Sequence, residues 1–117
     1  MTEPEKKLKV VIVRPQKFPT IEEIDHNLET LQAIVGGYIE QVCPWENDVA
    51  LICNEEGKIN NLPYNRGLYD EGGNILDIIA GTFFVVGLGE ENFRSLTDEE
   101  AEKYYQEFRK PEFWLHN

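Results

Sequence analysis

From Phe18 to Gly57 the chain has no lysine and no arginine, while nine acids fall in the same stretch. The deficit extends to the whole sequence: eleven bases face twenty-two acids across 117 residues, a net charge of −11. The bases crowd the start. Lys6, Lys7, Lys9, Arg14 and Lys17 leave the first seventeen residues at +3, so residues 18–117 carry −14. Such a field repels a phosphate backbone and an anionic bilayer, which argues against direct binding of nucleic acid or membranes. It also promotes solubility by itself.

Other residues are scarce too. There are two cysteines, Cys43 and Cys53, too few for a disulfide framework. If the segments around them pair as a hairpin, Cys43 lies near the turn and Cys53 at its far end. About six paired residues at ~3.3 Å each then hold them beyond bonding reach. Reduced, partly buried thiols are expected. The two histidines are His26, near a helix start, and His116. No His-x-x-His, Cys-x-x-Cys or His-Glu-x-x-His spacing occurs, so neither a metal nor another cofactor is expected. Nothing in the order of elements brings a cysteine to His26 as a nucleophile pair. Gly87-Leu88-Gly89 precedes two glutamates, not a helix able to receive phosphate. The paired acids Glu22/Glu23, Glu55/Glu56, Asp70/Glu71, Glu90/Glu91 and Asp98/Glu99/Glu100 fall in polar turns or helix starts, where solvated faces are the rule. No catalytic constellation emerges.

Long apolar runs are also lacking. The best, Ile75 to Leu88, is broken by Asp77, Gly81 and Gly87 and falls short of the ~20 residues a membrane helix needs. Met1-Thr2-Glu3-Pro4-Glu5 carries acids where a secretory signal has bases. A cytoplasmic protein is expected.

What remains is ordinary globular material, 41% apolar and 28% charged. The length suits a single domain over 1–117, with a core of about 8–110 and an apolar tail, 111–117. Leu8 to Arg14 is rich in β-branched residues and ends at Pro15, a buried strand followed by a turn. Thr20 to Ile24 has two readings. As a helix start it offers a capping box, Thr20 with Glu23. As a strand it pairs back on the first, with Asp25 capping a shorter helix over about 26–35. The hairpin is favoured. Leu28, Leu31, Ile34 and Val35 have helical spacing, and Gly36-Gly37 ends the run.

Two further strands are expected over 37–42 and 48–53, the second more central because both its faces are apolar. Asn54 to Gly57 is turn chemistry, and Lys58-Ile59-Asn60 reads as a short returning strand. Residues 60–74 read as a long packed loop anchored by Leu62, Tyr64, Leu68 and Tyr69. Ile75 to Ile79 is a short strand or turn, and 81–87 a further strand. Thr97 with Glu100 forms a second capping box. Ala101, Tyr104, Tyr105 and Phe108 follow at helical spacing, and Pro111 stops the helix by about Lys110. Phe113-Trp114-Leu115 is apolar enough to pack on the domain or on a partner. The expected class is α+β: a small, mostly antiparallel sheet with an N-terminal hairpin, a helix, further strands and a C-terminal helix.

One stretch invites a functional reading. Arg66 is the only cation between Lys58 and Arg94. A lone arginine in an acidic domain is a structural tie to a neighbouring carboxylate or a clamp for an anionic ligand, and the tie is the commoner role.

Several segments together resemble a known family. They are Asn27 to Gln32, Val35 to Glu40, Cys53 to Lys58, Leu62 to Arg66, Asp77 to Phe84 and Ser95 to Glu99. Taken in order over roughly residues 8–107, they resemble domain of unknown function 3846. The resemblance implies no activity and no catalytic residue. It implies a setting, an accessory protein of a phage or other bacterial mobile element, often encoded near anti-restriction genes. It also supports the strand reading of Thr20 to Ile24.

Two functions of different class follow as expectations. In the first, a non-enzymatic protein binds a basic host protein, with a role against host defence, through an acidic face of Glu22, Glu23, Asp25, Glu29 and Glu40. In the second, Asn54, Tyr64, Asn65, Arg66 and Tyr69 line a site for a small anionic, nucleotide-like ligand.

Overall fold

The computed structural model describes residues 5–114. Expectations resting on the first four residues, on Leu115 and on His116 lie outside that range. Five strands lie side by side in the order β2 (Thr20–Asp25), β1 (Lys7–Val13), β7 (Phe83–Leu88), β4 (Val49–Asn54) and β3 (Ile39–Val42), each antiparallel to its neighbours. A two-residue strand, β8 (Phe93–Arg94), pairs with the end of β7. The hydrophobic pattern dictates this order. β4 is buried along its whole length and β1 and β7 nearly so, as strands covered on both faces must be. β2 and β3 carry the charges that protect sheet edges.

Helix α1 (Leu28–Val35) covers one face, packing Leu31 and Val35 on Leu8, Val10, Ile12, Ala50, Ile52, Phe84 and Val86. Its start differs from expectation. Asp25 is the last residue of β2, and the cap is Asn27, whose side chain accepts from Thr30 N at 2.8 Å. Pairing with Lys7 holds Asp25 in the strand. Gly36 ends the helix at φ +80°, donating to Gln32 O.

The other face receives α2 (Asp98–Glu107). Thr97 and Glu100 form the expected capping box, and Ala101, Tyr104 and Phe108 point inward onto Val11, Val13, Leu51, Phe83 and Val85. Beside α2 on this face lies a second sheet, the hairpin of β5 (Tyr64–Tyr69) and β6 (Ile75–Ala80), which sends Leu68 and Ile79 into the same core.

This hairpin corrects the expected long loop: residues 64–69 are a strand. Gly72 and Gly73 form the tip, where Asp70 accepts from Gly72 N and Asn74 N, whereas Gly67 lies within β5. Lys58-Ile59-Asn60 is likewise turn, not strand, with Asn60 N bonded to Glu56 O.

Candidate functional site

The five residues expected around an anionic ligand do not share a site. Arg66 is fully buried. Its Nε and Nη2 donate to Phe108 O at 3.0 and 2.9 Å, Nη2 also to Lys17 O at 2.6 Å, and Nη1 to Asn65 Oδ1 at 2.8 Å. Asn65, also fully buried, donates to Val13 O and Gly81 O, both at 2.9 Å. Together they join the hairpin to β1, to the β1–β2 turn and to the end of α2. Burial pulls the guanidinium below its ordinary pKa, partly offset by the Glu112 carboxylate; arginine still stays protonated at neutral pH. The expected tie is therefore made to carbonyls instead of a carboxylate.

Asn54 lies elsewhere. Its amide donates to Val35 O at the end of α1 and its oxygen accepts from Glu56 N. Tyr69 is exposed and donates to Glu112 Oε1 at 2.9 Å; burial and that carboxylate raise its pKa. The cavity lined by Asn54, Cys53 and Lys58 holds none of the other four.

The five acids do not form one face either. Glu23 and Asp25 stand opposite Lys9 and Lys7 on the α2 side of β2, whereas Glu22 stands opposite Val10 on the α1 side and binds Arg14 at 3.2 Å. Glu29 is on the exposed surface of α1. Glu40 is on β3, the opposite edge of the sheet, four strand spacings or ~19 Å away.

Six of the eleven cations are consumed internally. Lys7 pairs with Asp25, Lys9 with Asp98, Arg14 with Glu22, Lys58 with Asp77 and Arg94 with Glu100, while Arg66 is buried. Among the described residues Glu29, Glu55, Glu56, Glu71, Glu90 and Glu91 enter no ion pair. Arg66 gathers the backbone around Lys17 and Phe108, so Lys17, Arg109 and Lys110 collect at the end of the sheet where β7 begins. Glu90 and Glu91 lie just beyond its other end, about 20 Å along the strand.

Two of the concavities beside the sheet bear on function. The first, about 260 Å³, has Cys53 among its lining residues along with Glu40, Lys58 and Asp77. Burial, with Glu40 nearby, pushes the Cys53 thiol up to about 12, so it is no nucleophile at neutral pH. The second is an open groove of about 540 Å³ between the start of α1, β3 and the β7–β8 turn. Leu28, Leu31, Ile39, Leu88 and Phe93 supply its apolar lining. Among the described residues Glu90 and Glu91 are its only acids, and no lysine or arginine lines it.

Two polar groups at the groove have partners within the fold: His26 Nδ1 bonds Glu5 O at 2.7 Å, with its ring stacked on Phe93, and the Asn27 oxygen caps α1. Sequence reasoning missed this groove because its residues come from three separate segments, 26–31, 39–41 and 88–93. One local signal existed. Leu28 has core spacing yet stands at the first turn of its helix, and it is 58% exposed.

Among the described residues no group of three or more histidines, cysteines and acids is placed to hold a metal ion, and no helix is long and apolar enough to cross a membrane. Fold and surface together define a small α+β protein with an antiparallel sheet covered on both faces and one open, acid-flanked groove. Residues 8–109 match the family described as Domain of unknown function (DUF3846), and the chain belongs to that family. No curated protein and no solved structure matches it.

Proposed function

We propose that the protein acts without catalysis, in the cytoplasm, by binding a basic surface of another protein. One observation carries the reading: the cations of β1, β6's neighbour Lys58 and Arg94 are neutralised within the fold, while Glu55, Glu56, Glu90 and Glu91 face solvent and enter no ion pair among the described residues. A negative field left over after folding steers and selects positively charged partners. The setting implied by the family resemblance makes a host protein the natural partner and interference with host defence the natural outcome. Two free thiols held apart, Cys43 exposed and Cys53 buried, suit a reducing compartment.

The test is affinity purification from a host lysate with a salt step and a charge-reversed control, Glu55→Lys/Glu56→Lys/Glu90→Lys/Glu91→Lys. Basic partners that elute with salt and are lost from the control support the reading, because exposed charges are screened over ~10 Å at 0.1 M. Partners that are not basic, or that survive high salt, overturn it.

A further inference from the structure

We infer that the groove between α1, β3 and the β7–β8 turn docks a basic peptide segment of the partner through an apolar side chain held between flanking cations; this rests on the proposed acidic-surface function. The argument begins with Leu28. An apolar residue at a helix start normally turns inward, yet Leu28 is more than half exposed and borders a groove whose other apolar walls are Leu31, Ile39, Leu88 and Phe93. Leu31 is core, while Ile39, Leu88 and Phe93 are half-buried extensions of it, so the lining is anchored.

Charge selects the occupant. Among the described residues the groove's acids are Glu90 and Glu91, both exposed and neither in an ion pair, and no lysine or arginine lines it. A small anion meets two carboxylates there and no lysine or arginine. A lysine- or arginine-bearing segment meets the complementary sign at the rim and apolar surface within, the arrangement of peptide grooves generally. The neighbouring sheet edge, β3, has a partner strand on one side only, so an extended segment has backbone to follow.

Three synthetic hexapeptides test this, followed by amide shift mapping and titration on the full chain: Lys-Lys-Leu-Leu-Lys-Lys, Lys-Lys-Ser-Ser-Lys-Lys and Glu-Glu-Leu-Leu-Glu-Glu. The leucine–lysine peptide is expected to shift His26, Leu28, Ile39, Leu88 and Phe93 and to bind about tenfold tighter than the serine–lysine peptide. Glu90→Lys/Glu91→Lys and, separately, Leu28→Ser are expected to lose about tenfold. Glu55→Lys/Glu56→Lys, with the same change in net charge, is expected to lose less than about threefold. All these residues are exposed, so folding is not at stake.

Equal binding of the two lysine peptides, or equal losses in both charge-reversed pairs, overturns the groove and leaves the acidic-surface reading standing. No binding of either lysine peptide at low salt overturns both. Equal binding of the glutamate peptide overturns the charge argument. Groove shifts that grow with protein concentration alone identify a second copy as occupant and overturn the peptide.

Discussion

Arg66 closes a fork on the carbonyl of Phe108, with Nε at 3.0 Å and Nη2 at 2.9 Å from the same oxygen. A buried guanidinium normally faces a carboxylate. Here it organises backbone ends that no regular structure satisfies, the cap residue just past α2 and, through Lys17 O at 2.6 Å, the β1–β2 turn.

Arg66→Ala therefore leaves Phe108 O and Asn65 Oδ1 without that donor in a buried place, at about 1–3 kcal/mol for each unsatisfied group, and Lys17 O without it in a part-buried one. A total loss of about 3–5 kcal/mol is expected in urea denaturation at neutral pH. Arg66→Lys, which lacks the planar fork, is expected to recover less than half. A loss under about 1 kcal/mol would mean that the fork is not a strut.

The C-terminal segment is held by Glu112, whose Oε1 accepts from Gly67 N at 3.1 Å and from the Tyr69 hydroxyl at 2.9 Å. Glu112→Ala is expected to release it, destabilising by about 1–2 kcal/mol and hastening tryptic cleavage after Arg109. Unchanged cleavage kinetics would show that Phe113 and Trp114 are held by other contacts.

Acid should weaken the start of α2 in a defined window. Hydrogen bonds from Arg94, at 2.8 and 3.0 Å, and from Thr97 N hold the Glu100 carboxyl down to about 2 from 4.5. A depressed pKa stabilises the fold above the unfolded value, and that stabilisation disappears as pH falls from about 4.5 through about 2. Glu100→Gln is expected to be less stable than the parent by about 1–2 kcal/mol at pH 7, the gap closing below pH ~3. A gap independent of pH would assign the loss to packing instead of charge.

The two thiols should separate cleanly under alkylation. Cys43 is exposed, whereas Cys53 is buried and its thiol is pushed up to about 12. Native protein at pH 8 is expected to take up one equivalent of iodoacetamide at Cys43, and unfolded protein two. Cys53 stands opposite Glu40, three residues from Cys43, so the pair stays about 10 Å apart and no intramolecular disulfide is expected under mild oxidation.

The parts of this fold legible in the sequence are those specified locally. The β-branched run of β1, the doubly apolar β4 and β7, the Thr97–Glu100 box and the glycine stop after α1 all announce themselves within a few residues. β5 did not. Tyr64 to Tyr69 places Asn65 and Arg66 inside a protein, and a polar pair beside a glycine resembles a loop until its long-range acceptors, Val13 O, Gly81 O, Lys17 O and Phe108 O, are in place. The candidate groove was illegible for a similar reason, since Leu28, Ile39, Leu88 and Phe93 meet only after the chain has crossed the sheet. Clustering acids by sequence failed as well: Glu22 and Glu23 are adjacent in the chain yet point to opposite sides of a strand.

The position of β1 between β2 and β7 also sets a timetable. Its first partner, β2, is available within a dozen residues of synthesis, but the strand that buries its other edge does not begin until Phe83. Until then β1–β2 and β3–β4 can exist only as separate hairpins, each with an apolar strand, Val10 to Val13 or Val49 to Cys53, open along one side. β7 is the splice that joins them, which puts the slow, long-range step of folding late on the ribosome and makes Phe83 to Val86 the segment whose arrival ends the period of greatest aggregation risk.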